Sequence, residues 1–319
     1  MTDSLQPELS VIIINRNTAH LLLTCLEHIF RSDLGEKPEV LVVDNGSSDD
    51  SVAKVKTAYP GVIILEAGKN LGFAAANNVA AKLARSRYLL LVNTDAFLEK
   101  DCARALLELM KSDPRIGMVG PQLLNDDGSH QTSFEATPTL VTETLNRSLL
   151  KRLFPKRFPG KRPDAQKAFP VEALIGAVMM LRREYFEALD GFDEDYFFFL
   201  EETDLAVRMR QAGWQILHEP RAKATHLQGA TADIAPPSAR IEFYRSRYIF
   251  FSKHYGSRVM RLLKSVLTAN LMLNVAGLGL MAFASLGQAR SVRNRLRVRT
   301  ELLKWHLQGC PDGQGLPRE

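Results

Sequence analysis

Four unbroken apolar runs near the start of the chain constrain its fold most: LSVIII (9–14), EVLVVD (39–44), VIILEA (62–67) and YLLLVN (88–93). Between them lie stretches with helical spacing: AHLLLTCLEHIF (19–30), SVAKVKTAY (51–59) and AAANNVAAKLA (74–84). Val, Ile and Leu runs that do not alternate with polar residues belong to strands covered on both faces. The alternation therefore predicts an α/β fold, a mostly parallel sheet flanked by helices. Polar turns follow the first, second and fourth runs (NRN, NGSSDD, NTDA). Loops at the carboxyl ends of strands are where open α/β sheets bind ligands.

Further along, DCARALLELMKS (101–112) predicts a fourth helix, ended by Asp113-Pro114. Periodicity is lost from 125 to 170, where eight basic residues between Arg147 and Lys167 face one acid. A mobile loop over the site is expected there. VEALIGAVMMLRREYFEAL (171–189) predicts a strand and a helix. EETDLAVRMRQAGW (201–214) predicts a helix stopped by Gly213, with Leu205, Met209 and Ala212 on one face. WQILHEP and KATH predict two short strands.

With 319 residues, 45% apolar and 24% charged, the chain has the balance of a folded soluble protein, which excludes disordered and collagen-like classes. Cys25, Cys102 and Cys310 form no CxxC pair. That argues against a disulfide framework, a zinc ribbon or a redox motif, and fits a reducing compartment. MTDSLQPELS contains no basic run followed by an apolar stretch, so a cytoplasmic start is expected.

Charge divides the chain unevenly. Residues 1–239 carry 27 Lys and Arg against 32 Asp and Glu, whereas 240–319 carry 14 against 4. We expect two units: a nucleotide-binding domain over 1–239 and a basic, apolar helical region over 240–319. A charge-free run, SVLTANLMLNVAGLGLMAFASLGQA, lies between Lys264 and Arg290 and is followed by RSVRNRLRVR. An apolar block with basic ends points to a membrane surface rather than nucleic acid. The block is long enough to span, but its Asn, Ser, Thr and Gly residues make an in-plane or re-entrant helix equally admissible. A buried helical hairpin is the third option.

Neither GxGxxG after the first strand nor GxxxxGK[ST] is present, so a nucleotide diphosphate would need another grip. A divalent cation is the natural one. Asn93-Thr94-Asp95 follows a fully apolar strand, and Asp95 is free to ligate, to cap helix 101–112 or to pair with a lysine. Asp44 ends a strand; it can accept hydrogen bonds from a base or ribose, or cap helix 51–59. Glu201, Glu202 and Asp204 open a helix, where the dipole favours acids. Asp204 is spaced to pair with Arg208. A carboxyl beside the aromatic run Tyr196–Phe199 acquires a raised pKa, as a general base at neutral pH requires. His226 follows a short strand and belongs to no helical face.

The succession of strand-NRN, VVDNGSSDD, NLGFAAANN, LLLVNTDA, GAVMMLRR, GFDEDYFFFLEETDLAVRMRQAGW and a late histidine resembles glycosyltransferase family 2 over about residues 9–230. It is most similar to the rhamnosyltransferase-like branch that extends bacterial lipid-linked glycans. The resemblance implies a GT-A fold and an inverting, cation-dependent enzyme. Asn15 and Asp44 would hold the nucleoside, Asn70 and Gly72 would line the donor pocket, and Asn93-Thr94-Asp95 would be the DxD-like motif. Asp95 and His226 would bind Mg²⁺ or Mn²⁺, and Gly176 would lie under the sugar. Glu201-Glu202 matches the family's Glu-Asp pair, whose second member is the base. Glutamate at 202 replaces the usual aspartate, which leaves Glu201 as the competing base. No QxxRW follows, so addition of a single sugar is expected rather than processive synthesis. The implied donor is a dTDP- or UDP-sugar, with dTDP-L-rhamnose favoured, and the implied acceptor is isoprenoid-linked at the inner face of the membrane. A sugar nucleotidyltransferase and an inactive scaffold of a glycan-assembly complex are the competing readings. The oligomeric state stays open.

Overall fold

The computed structural model describes residues 7–35, 38–145, 152, 165–227, 237–284 and 289–318. Most of the basic stretch from Arg147 to Lys167, where a mobile loop is expected, lies outside the described residues.

Nine strands among the described residues form one sheet. Its parallel half runs β3 (Ile63–Glu66), β2 (Glu39–Asp44), β1 (Leu9–Asn15), β4 (Tyr88–Asn93). Beyond β4 comes β10 (Val178–Arg182), antiparallel to β4 and to β6 (Ile116–Leu124). β11 (Gln215–His226) lies parallel to β6. β5 (Ala96–Leu98) and β8 (Phe169–Pro170) pair antiparallel with β11. The sheet is thus mixed at one end, and the consequence is positional. The carboxyl ends of β1, β2, β4 and β11 share one edge with the start of β10. Asn15, Asp44, Asn93, His226 and Gly176 therefore all come to that edge.

Both faces of the sheet are covered. Val11, Ile13, Val40, Val42, Leu90 and Val92 pack against α1 (Ala19–Arg31) and α4 (Cys102–Ser112). Their neighbours Ile12, Leu41, Val43, Leu89 and Leu91 pack against α3 (Gly72–Leu83) and the helix Glu201–Gln211. This two-sided burial is why the runs of β1, β2 and β4 carry no alternation. β3, expected to be covered on both faces, is instead an edge strand with Ile63 exposed.

Several elements differ from expectation. β6 is buried along its whole length, yet IGMVGPQLL holds two glycines and a proline, which weaken any strand reading. A Cβ at Gly120 would lie 2.9 Å from Leu174, so close packing selects glycine there. Pro121 falls past Met118 and Val119, where β10 pairs with β6. WQILHEP and KATH are one strand with an irregularity between Glu219 and Lys223. On Glu201–Gln211 the inward face is Leu205, Ala206 and Met209, whereas Ala212 is exposed. Within 125–170, β7 (Phe134–Glu135) pairs with β9 (Ala173–Leu174), and α5 (Leu140–Thr144) forms a short helix. Past α2 (Ser51–Ala58) and α6 (Arg183–Ala188), the helix Glu201–Gln211 is α7.

Three helices complete the chain: α8 (Pro237–Tyr255), α9 (Ser257–Ala284) and α10 (Arg290–Leu307). They form a third core in which Phe250, Phe251, Leu263, Leu302 and Trp305 meet Tyr196, Leu200 and Val207. α9 is long and apolar enough to cross a membrane by length and composition, and only 11% of its most apolar stretch is buried. Leu273, Leu280 and Phe283 stand 72%, 72% and 83% exposed, so a buried hairpin is ruled out.

His218 sits in β11 between the rings of Phe134 and Phe169, each 5.1 Å away. Burial pushes its pKa down to about 4. The folded chain thus refuses, between the ordinary histidine value and about 4, a proton that the unfolded chain accepts. Stability is complete above that window and falls as pH drops through it. We expect a loss of about 2 kcal/mol between about pH 7.5 and about pH 5 from this group. Glu202, raised to about 7, contributes with the opposite sign over the same window. The His218 share is therefore read as the difference in urea midpoint shift between the parent and His218→Leu at the two pH values.

Candidate active site

A cleft of about 420 Å³ opens at the shared sheet edge, lined among others by Arg16, Asn45, Gly72, Asn93, Asp95 and the aromatic run Phe197–Phe199. Each wall has a local cause. Asn15 is fully buried at the end of β1; its Nδ2 donates to Asp44 Oδ1 at 3.3 Å and Ser47 Oγ at 3.1 Å. Asp44 Oδ2 accepts from the Ser47 backbone N–H at 3.1 Å. These two residues clip the β1 and β2 turns together, and the residues that reach the cleft wall are their neighbours Arg16 and Asn45. Helix α2 is served instead by Asp49, whose Oδ1 accepts from the Ser51 N–H at 3.1 Å.

Asn70 is engaged on both sides. Its Oδ1 accepts from Asn45 Nδ2 and the Gly72 N–H, and its Nδ2 donates to the Pro317 carbonyl at 2.8 Å. The segment 309–318 therefore crosses to the cleft, where Leu316 lines the wall. Arg245 anchors this segment by donating to the carbonyls of Pro311, Asp312 and Gln314. Arg318 reaches Glu242 at 2.8 Å and lies over the Phe197 ring.

Gly72 has φ +81°, and a Cβ there would stand 2.4 Å from the Phe197 carbonyl oxygen, which accepts the Phe73 N–H. Phe199 and Leu200 both take left-handed backbone (φ 75° and 67°) just before α7. Such backbone costs about 1–3 kcal/mol per residue. Here it is held by Ser246 Oγ donating to the Phe198 carbonyl and by the Phe73–Phe197 bond. Gly72→Ala is expected to destabilise the fold by about 2 kcal/mol or more, because strain and overlap add. A lower denaturant midpoint with a raised donor KM would show that the same contact shapes the cleft.

Asp95 neither caps α4, whose N-cap is Asp101, nor pairs with a lysine among the described residues. The chain turns directly into β5, whose register sets Ala96 opposite His226. This brings His226 Nε2 to 3.5 Å from Asp95 Oδ1, both side chains being largely buried. Gln131 fixes the ring. Its Nε2 donates to Asn125 Oδ1 and to the His226 carbonyl, so its Oε1 faces His226 Nδ1 at 2.7 Å and can only accept. Nδ1 therefore donates in that bond, and in the neutral tautomer the lone pair sits on Nε2, turned toward the Asp95 carboxylate beyond hydrogen-bond length. A lone pair and a carboxylate that face each other in this way suit a divalent cation. Among the described residues no third His, Cys, Asp or Glu completes the shell.

Glu201 and Glu202 open α7, and each has one buried carboxylate oxygen without a hydrogen-bond partner among the described residues. Burial, followed by the charge of Glu135, pushes Glu202 up to about 7. Backbone N–H groups of Thr203 and Gly176 work against that rise. Glu201 is raised well above the carboxylate range by burial and then by Glu202. A Cβ on Gly176 would lie 3.6 Å from the Glu202 carboxyl, so this glycine leaves the space over it open. Ala177, the next residue, accepts the Asn93 N–H at 2.9 Å, which ties the Glu202 side of the site to the strand that carries Asp95. Asp204 makes the expected pair with Arg208 at 2.7 Å and also contacts His254 at 2.7 Å.

Residues 10–190 match the model of glycosyl transferase family 2, more than half of the chain. The chain belongs to glycosyltransferase family 2. Residues 156–229 also match a model described as the N-terminal domain of galactosyltransferase. A Mycobacterium tuberculosis N-acetylglucosaminyl-diphospho-decaprenol L-rhamnosyltransferase is 30% identical, with 69% of this chain and 77% of the relative covered. A rhamnosyltransferase of Escherichia coli is 22% identical over 68% of this chain and 82% of its own length. Among solved structures, a Pyrobaculum calidifontis mannosyltransferase in complex with GDP-mannose and Mn²⁺ superposes with a TM-score of 0.57. That likeness covers 97% of this chain and 89% of the other at 18% identity, and shows the GT-A fold.

In this rhamnosyltransferase-like glycosyltransferase, the site contains residues that sequence reasoning passed over. Arg16 and Asn45 lay inside turns already recognised as polar. Gln131 and the segment 309–318 carried no local signal, since their roles come from contacts across 95 and 247 positions.

Proposed function

We propose that the protein is an inverting glycosyltransferase that moves one sugar, L-rhamnose from dTDP-rhamnose, onto a lipid-linked glycan acceptor. The observation that carries the reading is the gathering of two functions at one sheet edge: Asp95 lines the cleft, and Glu202 lies beside Gly176, whose neighbour Ala177 accepts the Asn93 N–H. Asp95 and His226 make a cation-suited pair, and Glu202 is a carboxyl poised near neutrality. The rhamnosyl donor and the diphospho-prenol acceptor follow the activity named for the mycobacterial relative.

In the proposed displacement, Glu202 takes the proton of the acceptor hydroxyl as its oxygen attacks the anomeric carbon. The bond from that carbon to the diphosphate breaks, and the nucleoside diphosphate leaves with the electron pair. A Mg²⁺ or Mn²⁺ ion held by Asp95 and His226 would stabilise that departing charge. Arg16 supplies a further positive group on the cleft wall. Asn15 and Asp44 hold the turns that present Arg16 and Asn45 to the nucleoside, and Asn70 and Gly72 shape the donor wall. Asn93 and Gly176 border the sugar, while Glu201, its carboxyl pushed well above the usual range by burial, neighbours the base. The two units of 1–239 and 240–319 join inside the first turn of α8, and the segment 309–318 returns to the cleft wall. The C-terminal helices would rest on the cytoplasmic face of the membrane with the exposed side of α9 toward lipid.

The reading is tested by binding and hydrolysis of dTDP-rhamnose and a panel of UDP- and GDP-sugars with Mn²⁺, Mg²⁺ or EDTA. Cation-dependent binding of one donor is the expected result. Failure of every donor under every condition would overturn it in favour of the scaffold.

A further inference from the structure

A second cavity, of about 370 Å³, opens between α8 and α10. Arg240 and Tyr244 line it from α8, and Ser291, Asn294, Arg295 and Arg299 line it from α10. The α10 residues recur at three- and four-residue spacing, so they share one helix face. No carboxylate lines the cavity, and among the described residues Arg240, Arg295 and Arg299 have no acidic partner. The Arg295 Nε only approaches the Ser291 carbonyl, at 3.4 Å. The one buried acid nearby on α8, Glu242, is already bound by Arg245 and Arg318. Arg240 and Arg295 are exposed and Arg299 is half-buried, so all three guanidiniums are open to an anion from solution. Their forked N–H groups match phosphate oxygens.

Two further features narrow the anion. Val298 and Leu302 give the cavity an apolar floor, and the adjoining α9 exposes Leu273, Leu280 and Phe283. An anion joined to hydrocarbon fits both surfaces. The catalytic cleft is also close: Ala239 lines it, whereas its chain neighbour Arg240 lines the second cavity. The two spaces thus meet the first turn of α8 at consecutive residues.

We propose that this cavity binds the diphosphate of an isoprenoid-diphosphate-linked acceptor whose sugar enters the catalytic cleft past Ala239. The inference rests on the lipid-linked acceptor of the proposed function. It assigns the acceptor's anionic end to Arg240, Arg295 and Arg299, with Asn294, Ser291 and Tyr244 as neutral donors. The apolar chain then leaves along α9.

The test uses the full chain in EDTA, where the Asp95–His226 pair holds no cation, titrated with inorganic pyrophosphate. Vesicles of phosphatidylcholine carrying either farnesyl diphosphate or phosphatidylglycerol at matched charge form the second arm. Arg295→Ala/Arg299→Ala is expected to weaken pyrophosphate and farnesyl diphosphate binding by about tenfold or more. Arg290→Ala/Arg297→Ala, which removes the same charge outside the cavity, should change either by no more than about twofold, against that tenfold loss. Equal weakening by both double variants, or no weakening by either, would overturn the assignment. Equal capture by phosphatidylglycerol vesicles would overturn it too, replacing the diphosphate with a general phospholipid surface. Nucleotide-sugar binding with Mn²⁺, measured in parallel, separates the two claims. Its absence in the unmodified chain sinks the proposed function, whereas its presence with no pyrophosphate binding sinks only this site.

Discussion

Glu202→Gln is expected to lower kcat by about 10²- to 10⁴-fold while leaving donor binding nearly intact, because it removes only the proton acceptor. The amide keeps the size of the side chain, so the space over Gly176 is preserved. The pH profile carries the sharper signature. Burial and Glu135 raise Glu202 to about 7, and the active form is the deprotonated one. Activity should therefore rise with pH and level off above about 7, with the enzyme losing its base as pH falls through that value. Glu135→Gln removes one cause of the rise and should move the ascending limb to lower pH. Should Glu201→Gln abolish turnover and Glu202→Gln leave it unchanged, the base is Glu201 and the register of the acidic pair shifts by one.

The second large effect is expected at Asp95. Asp95→Ala removes the carboxylate that faces His226 Nε2 among the described residues. Loss of cation-dependent donor binding and a fall in kcat/KM of about 10³-fold, several kcal/mol, should follow. Mn²⁺ affinity in the presence of nucleotide, followed by the paramagnetic signal of the free ion, reads the effect independently of turnover. Gln131→Ala provides the graded case. It leaves both ligands in place and frees only the ring that Gln131 holds, so a loss in metal affinity of about 10- to 100-fold is expected. Equal Mn²⁺ affinity in all three proteins would show that the pair does not hold the cation.

Much of this site was legible because its chemistry sits at strand ends. Asn93-Thr94-Asp95 closes a run of apolar residues, and a polar triplet there has few structural uses. The acidic start of α7 was equally visible, since an aromatic run beside acids signals their desolvation. The division of labour within that pair was not. Glu202 differs from Glu201 through Glu135 and Gly176, which lie far away in sequence. Asn15 and Asp44 show the converse, since their residue types were noticed but their side chains turn toward each other and leave the wall to their neighbours.

Local pattern determined the α/β class, the parallel half-sheet, the helix limits through α4 and the edge at which ligands gather. All of these follow from burial on two faces and from the periods of strand and helix, which are written residue by residue. Contacts between distant segments decided the rest. β6 entered the sheet despite its glycines, because Trp214 and Leu174 pack where a Cβ at Gly117 or Gly120 would lie. The β5–β11 register, not any motif, set His226 against Asp95. The helices of 240–319 packed onto Tyr196, Leu200 and Val207, so the basic region became a neighbour of the cleft rather than an appendage. Register and docking depend on which surfaces meet, and no stretch of sequence contains both partners of such a meeting.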